Sequence, residues 1–271
     1  MSISMVYRTF YTIKCLRQLM DITTVKILNS LNSSFYQKNY ASFSATRQTP
    51  WDGWYRCLAL LEDAGFTPRN NLSVFDLACG NLRFETFLKA ELPETVIDYY
   101  AVDNCDELLP ANSSVHYQSL DILEMLLSTQ NINQQFNAPS CDLSVSFGFM
   151  HHIPLQEKRR ETLLSLIRQT RAGGYVVISF WQFLRNKAMR NKAELTHAQA
   201  LEELGIVNLD NNDYLLGWKD LPGEYRYCHS FTDNEIDQLV EAADTNTTLV
   251  SRFFSDGRSN NLNDYLILRV R

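Results

Sequence analysis

The 271-residue chain is 45% hydrophobic and 21% charged, the balance of an ordinary soluble domain, and it is long enough to bury a sizeable core without staples. Its six cysteines, Cys15, Cys57, Cys79, Cys105, Cys141 and Cys228, form no C-x-x-C pair, which argues against a structural zinc site; their scatter fits reduced thiols in the cytoplasm, and no apolar run is long enough to span a membrane. Net charge is −6, yet residues 1–50 hold six Lys+Arg against one acid, so that arm is about +5 and the remainder about −11. An acidic body excludes a protein that grips nucleic acid over its whole surface and leaves room for local basic patches.

The first twenty residues carry Arg8, Lys14 and Arg17 with no acid. They read as a targeting segment, a basic arm, or an extension upstream of a start at Met20, and residues 1–30 are set apart from a domain expected over 31–271. Residues 20–60 read as helices laid before the first strand. From about residue 72, apolar runs of strand length alternate with helical patterns. Leu72–Leu77 is a buried strand, followed by a helix with Phe84, Phe87 and Leu88 on one face. Val96–Asp103, Val115–Ser119 and Cys141–Phe147 follow as strands. The next helix carries Leu163, Leu164 and Ile167 on one face and is expected to stop at Gly173-Gly174. Tyr175–Phe180 is a fifth strand of β-branched and aromatic residues. Residues 181–246 read as a long polar insertion facing the substrate. Thr247–Phe254 and Tyr265–Val270 close the chain as an antiparallel pair. The alternation predicts an α/β, doubly wound fold with a mostly parallel seven-stranded sheet.

The sharpest local signal is Val74-Phe75-Asp76-Leu77-Ala78-Cys79-Gly80-Asn81-Leu82-Arg83-Phe84, which ends a strand and opens a helix. Small residues at Ala78 and Gly80 let a ligand approach the backbone beside the free N–H groups of a helix start. A carboxylate at Asp76 is poor for a pyrophosphate and good for a cationic amino-acid ligand, which favours S-adenosylmethionine over NAD. Asp103, 23 positions after Gly80, ends the second strand and is placed to accept ribose hydroxyls. Asp121-Ile122 follows the third strand; the carboxylate and the adjacent N–H suit an adenine edge, or Asp121 caps the next helix. Three acids at three successive strand ends line one crevice at the carboxyl edge of the sheet.

With those residues placed, the chain resembles the class I methyltransferases and, more narrowly, the tRNA wobble-uridine carboxymethyl methyltransferases known in yeast and as a domain fused to an AlkB homologue. The resemblance runs from about Tyr36 to the C-terminus. Tyr36, Phe43-Ser44-Ala45-Thr46-Arg47 and Pro50-Trp51 are similar to the family's opening motif. Phe149-Met150-His151-His152-Ile153 with Arg159-Arg160 resembles its motif after strand four, and Arg171-Ala172-Gly173-Gly174 its R-P-G-G. Asp213-Tyr214-Leu215-Leu216-Gly217-Trp218 and Tyr225-Arg226-Tyr227-Cys228-His229-Ser230-Phe231 resemble its late motifs, where a second Tyr usually stands in place of Cys228. Ala78 and Leu82 replace two glycines of the family's first motif, and Leu82 is expected to crowd the methionine end of the cofactor.

The resemblance implies a cofactor site of Tyr36, Arg47, Asp76, Ala78, Gly80, Asp103, Asn104, Asp121, Ile122 and Phe147, a catalytic set of Arg226, His229 and His152, and no metal. The implied reaction esterifies the carboxylate of a 5-carboxymethyluridine in tRNA. The nucleophile, with a pKa near ~4, is already ionised and needs no general base. Arg47 is then expected at the cofactor's carboxylate and Arg226 at the acceptor's, since a guanidinium fork matches a carboxylate. Trp51, Trp181 and Trp218 are candidates to stack on a base. The run Arg185, Lys187, Arg190 and Lys192 is either a phosphate-facing surface or a solvated helix face. Implied partners are a tRNA and a small zinc-binding activator protein pairing along a sheet edge. Two other readings share the fold: a small-molecule carboxyl or O-methyltransferase, and a non-catalytic binding subunit.

Overall fold

The computed structural model describes residues 20–271 apart from 69, 112, 129, 130, 208 and 220. The basic segment of residues 1–19 lies outside the described residues. Two helices come first, α1 (Ile22–Ala45) and α2 (Asp52–Asp63). The alternating core follows: β1 (Asn71–Leu77), α3 (Arg83–Glu91), β2 (Val96–Asp103), β3 (His116–Ser119), α4 (Ile122–Ser128), β4 (Cys141–Ser146), α5 (Gln156–Gln169) and β5 (Thr170–Trp181). After β5 come α6 (Lys187–Leu204), the strands β6 (Asp213–Gly217) and β7 (Tyr225–His229), then α7 (Asp233–Ala243), β8 (Thr247–Ser255) and β9 (Asn263–Val270).

The main sheet has seven strands in the order β3-β2-β1-β4-β5-β9-β8. Pairings from β3 through β5 are parallel, and β9 runs antiparallel to both β5 and β8. Strand order reverses between β1 and its neighbours β2 and β4, which opens a crevice at their carboxyl ends. Alternation along β1 sends Phe75 and Leu77 to one core, with α4, α5 and α7, and Leu72 and Val74 to the other, with α2 and α3. Both faces of the sheet are therefore covered, as its parallel strands require. No helix among the described residues is long and apolar enough to cross a membrane.

Four expectations are corrected. The domain does not begin at residue 31: α1 is continuous from Ile22, and Val25 and Leu28 are fully buried in the main core. The helix α5 ends at Gln169 rather than at Gly173-Gly174, because Thr170 already pairs with Cys141 as strand. Gly174 is needed there for space, since a Cβ would meet the Asp142 carbonyl oxygen at 2.7 Å. The segment 181–246 is not one polar insertion: every residue of β7 is buried in the β6–β7 hairpin. Finally, α7 belongs to the sheet, as its Ile236, Leu239 and Ala243 join the main core.

Candidate active site

The turn after β1 lies on the crevice and is built on left-handed backbone. Ala78, Gly80 and Leu82 have φ of 65°, 54° and 57°. The first two N–H groups of the turn, from Ala78 and Cys79, donate to the Val102 carbonyl at 2.8 and 3.1 Å, which ties β1 to the end of β2. Space above Gly80 is open, with nothing within 4 Å of where a Cβ would stand. Leu82 does not crowd the cavity. It is 2% exposed and packs beside Trp54 and Phe84 in the core shared with α2 and α3.

Each acid meets a different environment. Asp76 is 3% exposed and accepts from the Tyr99 hydroxyl at 2.5 Å. Burial pushes its carboxyl up to about 7; the Tyr99 bond opposes this and the charge of Asp103 adds to it. Asp103 accepts three backbone N–H groups, from Gly80 at 2.8 Å, Asn104 at 2.8 Å and Cys105 at 3.0 Å. Burial raises its pKa against those three bonds. Asp121 caps α4 through the Glu124 N–H at 2.9 Å, and its other oxygen accepts from Asn29 at 2.9 Å. It thus serves as the helix cap, one of the two roles read from its position, and it also lines the cavity.

A cavity of about 470 Å³ extends from these acids to the end of β4 and beneath β7. It collects Tyr36, Arg47, Asp76, Ala78, Gly80, Asp103, Asn104, Asp121, Ile122 and Phe147, the whole expected cofactor set, together with Arg226 and His152. Phe147 packs edge-on against Phe84 at 4.7 Å. At the far end His152 is fixed from both sides. Its Nδ1 lies 2.8 Å from the Tyr227 carbonyl, which only accepts, so Nδ1 carries the proton and Nε2 accepts from the Tyr36 hydroxyl at 2.7 Å. Burial and then Arg226 hold the His152 pKa down to about 3. Burial likewise holds His151 well below the usual histidine range, and its Nδ1 has no hydrogen-bond partner.

Arg226 projects from β7, 7% exposed, with Nε and Nη1 both lacking a partner. Its guanidinium lies 5.0 Å from the Phe35 ring and 5.3 Å from Trp218. Arg47 stacks at 3.5 Å on Phe43 and donates to the Thr46 hydroxyl at 2.9 Å. Trp51 and Trp181 line the cavity, whereas Trp218 backs the two arginines and donates to Ser42 at 2.9 Å.

His229 is not part of this site. It is 1% exposed, and its ring nitrogens are bound to Asp213 at 2.7 Å and Glu235 at 2.9 Å. With Arg159 it forms a buried ionic knot that ties β6, β7 and α7 to α5. The basic run is also largely spent: Arg185 pairs with Asp233 at 2.5 Å and Arg190 donates to the Leu184 carbonyl. His151, His152 and Cys228 place one possible metal-ligand atom each within 4.8 Å of one another. Both His152 nitrogens are already engaged and the Arg226 cation lies alongside, an arrangement that disfavours a metal ion.

No family profile matches the chain. A protein of Encephalitozoon cuniculi that carries a methyltransferase name is 28% identical over 200 residues, covering 73% of this chain and 78% of that one. The solved 1,6-didemethyltoxoflavin-N1-methyltransferase of Burkholderia thailandensis superimposes with a TM-score of 0.57 at 14% identity, covering 91% and 90% of the two chains. An S-adenosylmethionine-dependent methyltransferase of Methanosarcina mazei gives 0.53 at 14% identity, covering 77% and 96%. The fold is that of the class I methyltransferases.

In a class I methyltransferase the adenosyl cofactor lies along this crevice, and the residues present fit it. The open space over Gly80 admits the ligand, Asp103 Oδ2 retains one lone pair for a ribose hydroxyl, and Asp76 suits a cationic group. Sequence reasoning named Tyr36 but missed the rest of its polar stripe on α1: Asn29, Asn32 and Ser33 line the cavity with it. Their spacing of i, i+3, i+4 and i+7 marks one helix face, and an all-polar face on a helix with buried Val25, Leu28 and Phe35 was the available signal. It also missed the turn between β8 and β9, where Asp256 and Asn263, the first residue of β9, reach the cavity; their pairing to each other at 2.8 Å leaves no local sequence pattern.

Proposed function

We propose that the chain is an S-adenosylmethionine-dependent methyltransferase that esterifies a carboxylate, that of 5-carboxymethyluridine at the wobble position of tRNA. The observation that carries the reading is Arg226, a buried cation that faces the cavity with two N–H-bearing nitrogens unpartnered. Such a group is costly unless an anion meets it, and a carboxylate matches its fork. Beside it the histidine pair is held neutral, and His152 has neither nitrogen free to take a proton. That suits an acceptor which arrives ionised and needs none removed. The sulfonium of the bound cofactor supplies an activated methyl group. What remains for the protein is alignment and exclusion of water: Tyr36, Trp51, Phe147 and Trp181 wall the space, Arg47 faces the cofactor's carboxylate, and Arg226 holds the acceptor's. The family resemblance adds a tRNA and a small zinc-binding activator as partners, in the cytoplasm.

The test is methyl transfer to an anticodon-loop RNA bearing 5-carboxymethyluridine, with and without a zinc-binding activator. The expected product is the methyl ester, and Arg226→Ala should transfer none while cofactor affinity stays within a few-fold. No transfer under either condition removes the tRNA assignment. A small-molecule carboxylate is the second reading. It is favoured by the internal engagement of Arg185 and Arg190, which weakens the best candidate surface for phosphates. A gel shift with tRNA that weakens steeply with salt supports the first reading, and its absence supports the second.

A further inference from the structure

We propose, resting on that reading, that the cavity recognises its reactants by charge: the Arg226 end takes the acceptor only as an anion and turns away the carboxamide and methyl ester of the same shape, so the product loses its hold as it forms.

Apart from Arg83, which donates to the Thr49 carbonyl at 3.0 Å, the charges lining the cavity fall into two groups, acids at the ends of sheet strands and the arginines Arg47 and Arg226. Its three open-crevice acids, Asp76, Asp103 and Asp121, stand at the ends of β1, β2 and β3. A fourth, Asp256, is locked by the Gly53 N–H at 2.9 Å, Asn263 at 2.8 Å and Tyr265 at 2.6 Å. Among the described residues no carboxylate pairs with Arg226 or with Arg47. The walls around Arg226 are Phe35, Trp218, Tyr36 and the neutral His151–His152 pair. A cation placed among such neighbours gains most from a full negative charge. A carboxamide offers one carbonyl and an N–H pair that faces the guanidinium the wrong way, and an ester offers no charge at all.

The reaction removes both complements together. The bond from the methyl carbon to sulfur breaks with its electron pair left on sulfur, a carboxylate lone pair forms the new C–O bond, and no proton moves. The positive charge that faced the acids and the negative charge that faced Arg226 disappear in one step. The site thus fits the charge pattern before transfer and not after it, which favours release of the ester over its retention.

The experiment measures binding to protein loaded with S-adenosylhomocysteine. Three anticodon-loop RNAs differ only at the wobble uridine, carrying a 5-carboxymethyl, a 5-carbamoylmethyl or a 5-methoxycarbonylmethyl group. The acid should bind roughly 10- to 100-fold more tightly than either neutral isostere. In Arg226→Gln and Arg226→Met that preference should fall to within about threefold, through loss of acid binding alone. Unchanged affinity for S-adenosylhomocysteine reports that each variant is folded. Equal binding of the three RNAs by the unaltered protein overturns the proposal, as does a preference that survives in a folded variant. Transfer to the acid RNA, measured in parallel, separates the two failures. Transfer without discrimination overturns charge recognition alone; no transfer removes the functional reading and this inference with it.

Discussion

The Tyr36 hydroxyl donates a hydrogen bond to His152 Nε2 at 2.7 Å, and the His152 Nδ1–H donates to the Tyr227 carbonyl at 2.8 Å. The ring is therefore held in one tautomer by two groups from opposite ends of the chain. Tyr36→Phe leaves the buried Nε2 without a donor and should lower unfolding stability by about 1–3 kcal/mol in urea titration. Methyl transfer should fall with it, since the wall of the cavity beside Arg226 loses its fixed position. Full activity and unchanged stability together would show that this bond positions nothing.

Asp76 makes cofactor binding pH-dependent. Its carboxyl, at about 7, is raised above its unfolded value, so the neutral acid contributes stability that is complete below about pH 4 and lost as pH rises through 7. The ligand-free protein should accordingly bind its cationic cofactor more tightly as pH rises, by up to about tenfold per unit below pH 7, releasing one proton per ligand. Calorimetry in buffers of different ionisation enthalpy reads that proton. Asp76→Asn should remove the slope; a slope that persists there assigns it to another group.

Asp103→Ala should weaken cofactor binding more than Asp121→Ala. Asp103 keeps one lone pair on Oδ2 for a ribose hydroxyl, the same oxygen holds the Gly80 N–H of the turn over which the ligand would lie, and charge-assisted bonds are worth roughly 1.5–3 kcal/mol each. Asp121 already spends one oxygen on the α4 cap and the other on Asn29. Its replacement should instead show as about 1 kcal/mol of lost stability. Calorimetry and thermal unfolding on the same two variants give both readings, and a reversed order of affinities would overturn the assignment.

His229 should behave as a structural residue. Its replacement by Ala removes one of the two side chains, with Arg159, that bridge buried Asp213 and partly buried Glu235, at a cost of about 1.5–3 kcal/mol. Glu235 is held down to about 2, against burial, chiefly by its hydrogen bond to His229. That depressed value contributes stability above the usual glutamate pKa which is lost as pH falls through 2, and the variant should lose it. Transfer per folded molecule should stay within a few-fold, measured at a temperature where the variant is native. A large loss there would return His229 to the site.

Ala78→Gly should stabilise the protein by about 0.5–1 kcal/mol. A side chain at a φ of 65° carries a steric cost that glycine avoids, partly offset by the greater freedom of glycine in the unfolded chain. Denaturant unfolding measures the gain, and a loss of stability would mean that the Ala78 methyl makes packing worth more than its strain.

What could be read from the sequence follows from how local each signal is. The strand Val96–Asp103 was expected and found with the same bounds, because its ends are set by nearby residues: Pro93 before it and the turn at Asn104 after it. The three crevice acids were legible because each sits at or just past the end of its own strand, and all three line the cavity. The hairpin of β6 and β7 was not, since its strands are short and joined by a long turn, and nothing in either segment names the other. His229 shows the same limit. Its motif was visible, but whether it serves a ligand or the fold depends on Asp213 and Glu235, which reach it only after folding. A helix was expected from residue 20, but the domain boundary was set at 31, because nothing local shows that Val25 and Leu28 are buried by distant elements of the main core.

The polar stripe of α1 has a consequence for the order in which the protein assembles. Asn32 accepts from the Tyr227 N–H at 2.7 Å across 195 positions, and Asn39 meets Glu224 across 185. During synthesis α1 emerges early and waits for most of the chain before those partners exist. The crevice at the ends of β1, β2 and β4 needs the chain only as far as Phe147, a little past its midpoint, whereas the pocket around Arg226 closes when the late hairpin docks on the early helix. Contacts of such wide separation form slowly. A newly made chain is therefore expected to gain its cofactor-binding surface before it can distinguish one acceptor from another.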